Sequence, residues 1–252
     1  MRRRLLDNSV ARTVLSVWSW LVFGVVLIVW IPLVGLVRLV TAPFDRGHYA
    51  AGWLFRRLAV VHQALNPLWR FRRHGELPPD PRHPYVVVAN HQSFVDILLI
   101  SHLPWEMKWL SKSEFFKIPA VGWLMRLAGD IPLVRGESAS VADAMAQCAD
   151  RLDRRVSVMI FPEGTRSLSG ELGAFKDGAF RLAIEKQLPV LPLAVHGTRS
   201  ALRKHDWRFG YSEAAVHVLD PIDTAGLTLD DVASLRDRTR EVIAAKLAEI
   251  TD

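Results

Sequence analysis

The sequence predicts an α/β fold in which a mostly parallel, mixed sheet is covered by helices and preceded by an N-terminal, membrane-associated helical pair. Three observations predict it. From Tyr85 onward, short apolar runs alternate with helix-like stretches. Strands that are apolar on both sides, each followed by a helix, need cover on both faces. Residues Thr13 to Val37 form a run of 25 without a charge. As a helix that run is about 38 Å long, and about 20 residues cross a bilayer. The net charge of +6 is confined to the N-terminal third, where residues 1–80 hold 11 Arg, no Lys and four acidic residues.

The charge-free run is too long and too rich in Trp for a secretory signal, and no small-residue cleavage site follows it. Trp18, Trp20 and Trp30 favour the membrane interface, and Pro32 and Gly35 are positioned to kink the helix near its end. Arg2, Arg3, Arg4 and Arg12 precede the run, and Arg38, Arg46, Arg56 and Arg57 follow it. Basic residues on both sides choose no orientation. The helix therefore spans the bilayer, lies in one leaflet with both ends cytoplasmic, or is a buried helix of a soluble fold. A second helix is expected over residues 48–66, ended by Pro67. It mixes Trp53, Leu54, Phe55 and Leu58 with Arg56 and Arg57, a composition suited to the interface. Four prolines between Gly75 and Pro84 mark a boundary. Residues 1–74 are read as membrane-anchoring helices and residues 75–252 as the α/β domain.

Within that domain, strands are expected at Tyr85–Ala89, Met107–Leu110, Ile131–Val134, Val156–Phe161 and Val190–Val195, with Ala214–Leu219 as a further one. Helices are expected at Val95–Leu103, Glu114–Leu127, Ala139–Arg154 and Asp177–Gln187. Thr228 and Asp231 resemble a capping box that opens a last helix, whose apolar face is Val232, Leu235, Val242, Ile243 and Leu247.

Composition excludes several functions. A nucleic-acid binder carries its charge on the folded reading surface, whereas here it flanks apolar, Trp-rich sequence that suits an anionic membrane. The single cysteine, Cys148, forms no internal disulfide and reads as a small core residue in a reducing compartment. No His, Cys, Asp or Glu grouping has metal-ligand spacing, so no metal is expected. His102, His196 and His217 stand in no motif and are read as structural.

The chemistry-bearing segment is Asn90-His91-Gln92-Ser93-Phe94-Val95-Asp96. It leaves the carboxyl end of the first strand, where α/β sheets bind ligands. One reading is a plain helix start, with Ser93 as cap and Asp96 near the positive dipole end. It leaves Asn90 and His91 without a task. In the other reading, Asp96 accepts a hydrogen bond from one imidazole nitrogen of His91. That bond fixes the tautomer and leaves the second nitrogen as a general base for a hydroxyl nucleophile.

Four segments together resemble the glycerolipid acyltransferase family, typified by the 1-acylglycerol-3-phosphate acyltransferases. They are His91-x4-Asp96; Lys112-Ser113-Glu114-Phe115 running on to Ile131-Pro132-Leu133-Val134-Arg135; Phe161-Pro162-Glu163-Gly164-Thr165-Arg166-Ser167; and the proline-bearing Val190-Leu191-Pro192-Leu193-Ala194-Val195. They occur in family order across roughly residues 75–200. Phe115 replaces the usual Leu, and Pro132-Leu133-Val134 departs from the commoner residues before the Arg.

The resemblance implies the glycerolipid acyltransferase fold, with His91 and Asp96 catalytic. It implies phosphate binding by Lys112, Arg135, Glu163, Gly164, Thr165 and Arg166, with Glu163 orienting Arg166 or a backbone turn. Asn90, Ser93, Lys176 and Gly178 are supporting positions, although Lys176 and Gly178 equally fit a helix start capped by Asp177. The reaction implied is direct acyl transfer from acyl-CoA or acyl carrier protein to the sn-2 hydroxyl of lysophosphatidate, with no acyl-enzyme and no cofactor. Membrane lipids are the implied partners, and the site is expected on the cytoplasmic side of a bacterial inner membrane. A different lysolipid acceptor, such as lyso-ornithine lipid, and a non-catalytic lipid-binding scaffold are the alternatives.

Overall fold

A computed structural model describes residues 9–167, 169–202 and 206–250. The basic flank Arg2, Arg3 and Arg4 lies outside the described residues. Helices run over α1 (Ser9–Thr41), α2 (Tyr49–Ala64), α3 (Val95–Ile100), α4 (Val121–Ala128), α5 (Ser138–Asp153), α6 (Gly178–Lys186) and α7 (Val232–Glu249). Strands are β1 (Trp69–His74), β2 (Val86–Ala89), β3 (Met107–Lys112), β4 (Ile131–Leu133), β5 (Ser157–Ile160), β6 (Val190–His196) and β7 (Ser212–Val218).

The seven strands form one sheet in the order β1-β7-β6-β2-β5-β3-β4. The five from β6 to β4 are parallel, β7 is antiparallel to β6, and β1 is parallel to β7. Successive residues of β2 serve opposite cores. Val86 and Val88 pack with α5, α6 and α7, and Val87 and Ala89 pack with α3. This is why the strand is apolar at every position. Cys148 is fully buried in the first of these cores, and burial pushes its thiol up to about 12.

Three sequence expectations change. Trp69–His74, assigned to the anchoring segment, is instead an edge strand paired residue for residue with β7. Only Trp69 of it is buried, so its outer positions, largely arginines, carry no apolar signal. The helix expected over Glu114–Leu127 is a 3-10 turn, Ser113–Lys117, followed by α4. Pro119 lacks the amide a continuous helix needs there, and Ala120 adopts φ 64. Asp177 does not cap α6. Its carboxylate meets Arg236 of α7 at 2.7 Å. The capping box at Thr228 and Asp231 is present.

The charge-free run is one helix that continues through Pro32 and Gly35. It is long and apolar enough to cross a membrane. Val25, Ile28, Leu36 and Leu39 along it are exposed, whereas Val22, Val26 and Val34 pack against Ala51 and Leu58 of α2 and Leu124 of α4. His48 takes the left-handed conformation ahead of α2, and the Asp45 carboxylate caps that helix through the amides of Tyr49 and Ala50 at 2.9 and 2.8 Å.

A buried ionic group fastens α2 to the sheet. The Lys108 ammonium donates to the carbonyls of His48 and Ala128 and to Glu106, at 2.8, 2.6 and 2.9 Å. Arg56 of α2 pairs with Asp130 and lies 3.5 Å from Glu106. Gly52 permits the approach, since a Cβ there would stand 2.1 Å from Glu106 Oε1.

Candidate active site

The site begins where β2 ends. Asn90 replaces the next rung of the ladder with its side chain: Nδ2 donates to the Val195 carbonyl (2.8 Å) and Oδ1 accepts from the Val195 amide (2.7 Å). The main chain can therefore turn out of the sheet at His91 while the Val195 amide and carbonyl keep their partners.

The turn leads into α3, and Asp96 in its first turn is fully buried. Asp96 Oδ2 accepts from His91 Nδ1 (2.8 Å) and from the amides of Gln92 (2.7 Å) and Ser93 (2.9 Å). Its Oδ1 accepts the Thr198 hydroxyl hydrogen. Four donors on one carboxylate match its acceptor-only, ionised form. They assign the proton of the neutral imidazole to Nδ1 and leave Nε2 with its lone pair, the arrangement a general base needs. The helix-start and catalytic readings of this segment thus coexist, because one carboxylate serves both. The Ser93 hydroxyl makes two long contacts, accepting from the Val95 amide at 3.3 Å and donating to the Leu202 carbonyl at 3.4 Å.

The imidazole plane is held by Phe161, which stacks on it at a centroid separation of 3.9 Å and 15°. Phe161 opens the loop after β5. Glu163 in that loop binds main chain, not Arg166: Oε1 accepts from the His91 amide (2.7 Å) and Oε2 from the Gly173 amide (3.1 Å). Burial raises the pKa of its carboxyl, against the pull of these two amides. The Ser167 amide donates to the His91 carbonyl at 2.8 Å, so the two loops are tied twice. Gly164 has φ 71, and a Cβ there would stand 3.0 Å from Lys176 Nζ.

The remaining positions divide. Lys112 ends β3, and Arg135 and Arg166 follow the carboxyl ends of β4 and β5; in the sheet these strands run outward from β2 in the order β5, β3, β4. At about 4.8 Å per strand this edge spans roughly 14 Å from β2 to β4. Lys112 pairs with Glu114 at 2.7 Å. Arg135 and Arg166 are exposed and make no side-chain hydrogen bond or ion pair among the described residues, and Thr165 is exposed beside Arg166. Gly178 lies away from the site, at the α5–α6 packing, where its nearest side chain is Met145. Two contributors escaped the sequence reading. One is Phe161 as the ring under His91. The other is Thr198, which lies just beyond the proline-bearing strand, after Gly197 in its left-handed turn.

An apolar cavity of about 340 Å³ opens beneath this edge. Phe23 and Leu27 of α1, Leu58 of α2 and Phe94, Ile97 and Leu98 beside the His91 loop line it, with Trp109 against Phe161 at its wall. Arg56 and Asp130 are its charged residues. Among the described residues, no group of three or more His, Cys, Asp or Glu is placed to hold a metal ion.

An imidazole bonded to a buried carboxylate, near a cavity suited to a hydrocarbon chain, fits an enzyme that transfers acyl groups to hydroxyls. The acyltransferase family model matches residues 70–196. The human 1-acyl-sn-glycerol-3-phosphate acyltransferase alpha is 34% identical over 208 residues, covering 82% of this chain and 74% of its own. The chloroplastic 1-acyl-sn-glycerol-3-phosphate acyltransferase BAT2 of Brassica napus is 42% identical over 120 residues, 48% of this chain and 35% of its own. The crystal structure of the 1-acyl-sn-glycerophosphate (LPA) acyltransferase PlsC from Thermotoga maritima superposes with a TM-score of 0.75 at 26% identity, over 95% of this chain and 98% of that one. The chain belongs to the acyltransferase family.

Proposed function

We propose that this enzyme transfers a fatty acyl group from a thioester, acyl-CoA or acyl carrier protein, to the sn-2 hydroxyl of lysophosphatidate, giving phosphatidate. The observation that carries the reading is the His91 imidazole, bonded through Nδ1 to a buried Asp96 and open at Nε2. In this reading His91 Nε2 takes the hydroxyl proton as the oxygen attacks the thioester carbonyl. The tetrahedral intermediate collapses, the C–S bond breaks, and the imidazolium returns the proton to the departing thiolate. Asp96 stabilises the imidazolium between these steps. The two substrates supply all bonds made and broken, so no cofactor enters the balance.

Lys112, Arg135 and Arg166 are assigned the acceptor phosphate, with the Gly164–Thr165 turn offering close backbone approach. Their common placement at one sheet edge supports this, and so does the planar fork of donors that an arginine brings to phosphate. Glu163, Asn90 and Ser93 hold the loops that carry these groups, and Lys176 flanks Gly164. The cavity at Phe94 and Ile97 is assigned the donor acyl chain. The exposed apolar side of α1 is assigned to a bacterial inner membrane with the site on its cytoplasmic side.

The test is transfer from labelled acyl-CoA or acyl carrier protein to a panel of lysolipids. Lysophosphatidate should be the preferred acceptor, and His91→Ala should cut turnover at least about 100-fold while the protein stays folded. Transfer to lyso-ornithine lipid in place of lysophosphatidate would overturn the acceptor. Full activity in the His91 variant would overturn the mechanism.

A further inference from the structure

A second cavity, of about 350 Å³, lies beside the edge strand β4. It shares Asp130 with the apolar cavity above but none of its cationic residues. Its walls come from the start of α2, the 3-10 turn after β3, the end of α4 and the end of α5. Four of the residues that line it are His48, Lys117, Arg126 and Arg151. Its acidic residue, Asp130, turns its carboxylate to Arg56 and the Trp109 amide. Arg151 meets Asp150 at 2.7 Å, whereas Lys117 and Arg126 make no side-chain hydrogen bond or ion pair among the described residues. Behind the cavity, Arg38 at the end of α1 bonds to His48 Nε2 at 3.0 Å, and Lys108 bonds to the His48 carbonyl. His48 Nδ1 is buried with no hydrogen-bond partner. Burial first, then the charges of Arg38, Arg151 and Lys108, lower the His48 imidazole to about 4. Among the residues lining the cavity, Lys117, Arg126 and Arg151 outnumber the single carboxylate of Asp130, and an anion would relieve that excess.

We propose that this cavity is an accessory site for a phosphate group, with Lys117, Arg126 and Arg151 as its cationic ligands. Phosphate offers several acceptor oxygens to such donors at once. Two sources carry that chemistry, a phospholipid headgroup and free phosphate. The headgroup is favoured by position. Arg38 brings the end of the long apolar helix to the cavity wall, and the exposed Ile118 and Trp123 belong to the turns that carry Lys117 and Arg126. The site is independent of the acyl-transfer reading, since none of its ligands belongs to the His91 edge.

The experiment uses the full chain in phosphatidylcholine nanodiscs with or without phosphatidylglycerol, and native mass spectrometry to count retained lipid. The variant Lys117→Gln/Arg126→Gln is compared with the parent, and its thermal melting curve serves as a folding check. The parent should retain a phosphatidylglycerol that the variant holds about tenfold more weakly, the equivalent of roughly 1.4 kcal/mol. A parallel arm titrates inorganic phosphate. Displacement of the lipid by phosphate supports one shared site. Phosphate retention without lipid retention, again lost in the variant, supports the site and assigns it to free phosphate. Equal retention of both ligands by parent and folded variant overturns the proposal. The readout is retention, not turnover, so a wrong acceptor assignment at His91 leaves it unaffected.

Discussion

Thr198 donates its hydroxyl hydrogen to the one oxygen of Asp96 that His91 does not use. The hydroxyl comes from the turn after β6, and the carboxylate from the helix after β2. The His91–Asp96 pair is therefore held from two neighbouring strand ends.

Thr198→Val keeps the shape and removes the donor. A lost hydrogen bond to a buried carboxylate costs on the order of 1.5 kcal/mol, so kcat should fall about tenfold with KM little changed. Thr198→Ser should restore most of the rate. Steady-state kinetics on both variants distinguishes this positioning role from a general loss of stability, which would lower active enzyme without the serine rescue.

Glu163→Gln tests the loop clamp. The carboxylate accepts from two backbone amides, and a carboxamide can accept from only one while turning its NH2 toward the other. Turnover should drop about tenfold, and acceptor KM should rise because the Gly164–Arg166 turn loosens. An unchanged KM would separate Glu163 from the acceptor pocket.

Acid should destabilise the protein through His48. Its folded pKa, about 4, lies below the unfolded value of 6.5. Stability from the neutral imidazole is therefore present above pH 6.5 and lost as pH falls toward 4. His48 is only half-buried, so the loss is discounted to about 1–2 kcal/mol. His48→Gln should flatten this part of the stability curve in chemical denaturation between those two pH values.

Leu58→Trp narrows the apolar cavity from the α2 side, away from His91. Each methylene excluded from an apolar site costs about 0.8 kcal/mol, or roughly fourfold in kcat/KM. Longer acyl donors should lose ground to shorter ones by that factor per carbon. Competition between donors of different length reads it directly. An unshifted profile would remove the chain from this cavity.

Some of this was legible in the sequence and some was not, for physical reasons. His91 and Asp96 could be paired from their spacing because a helix start folds five residues onto one another. The apolar runs in β2, β5 and β6 stood out because both their faces are covered. Thr198 could not be found, since its partner is 102 positions away and the two meet only because β6 adjoins β2. The strand Trp69–His74 was hidden because an edge strand with arginines on its outer positions has no apolar alternation to detect. The break at Pro119 and Ala120 was missed because apolar residues continue at helical spacing on both sides of it.

The ionic fastening of α2 to β3 through Arg56, Glu106, Lys108 and Asp130 leaves no slack between anchor and catalytic body. With α1 embedded, this fastening would hold His91 at a set height above the lipid. An acceptor diffusing sideways within the leaflet would then meet the site directly, and the rate would follow the surface fraction of lysolipid in the membrane more than the bulk concentration.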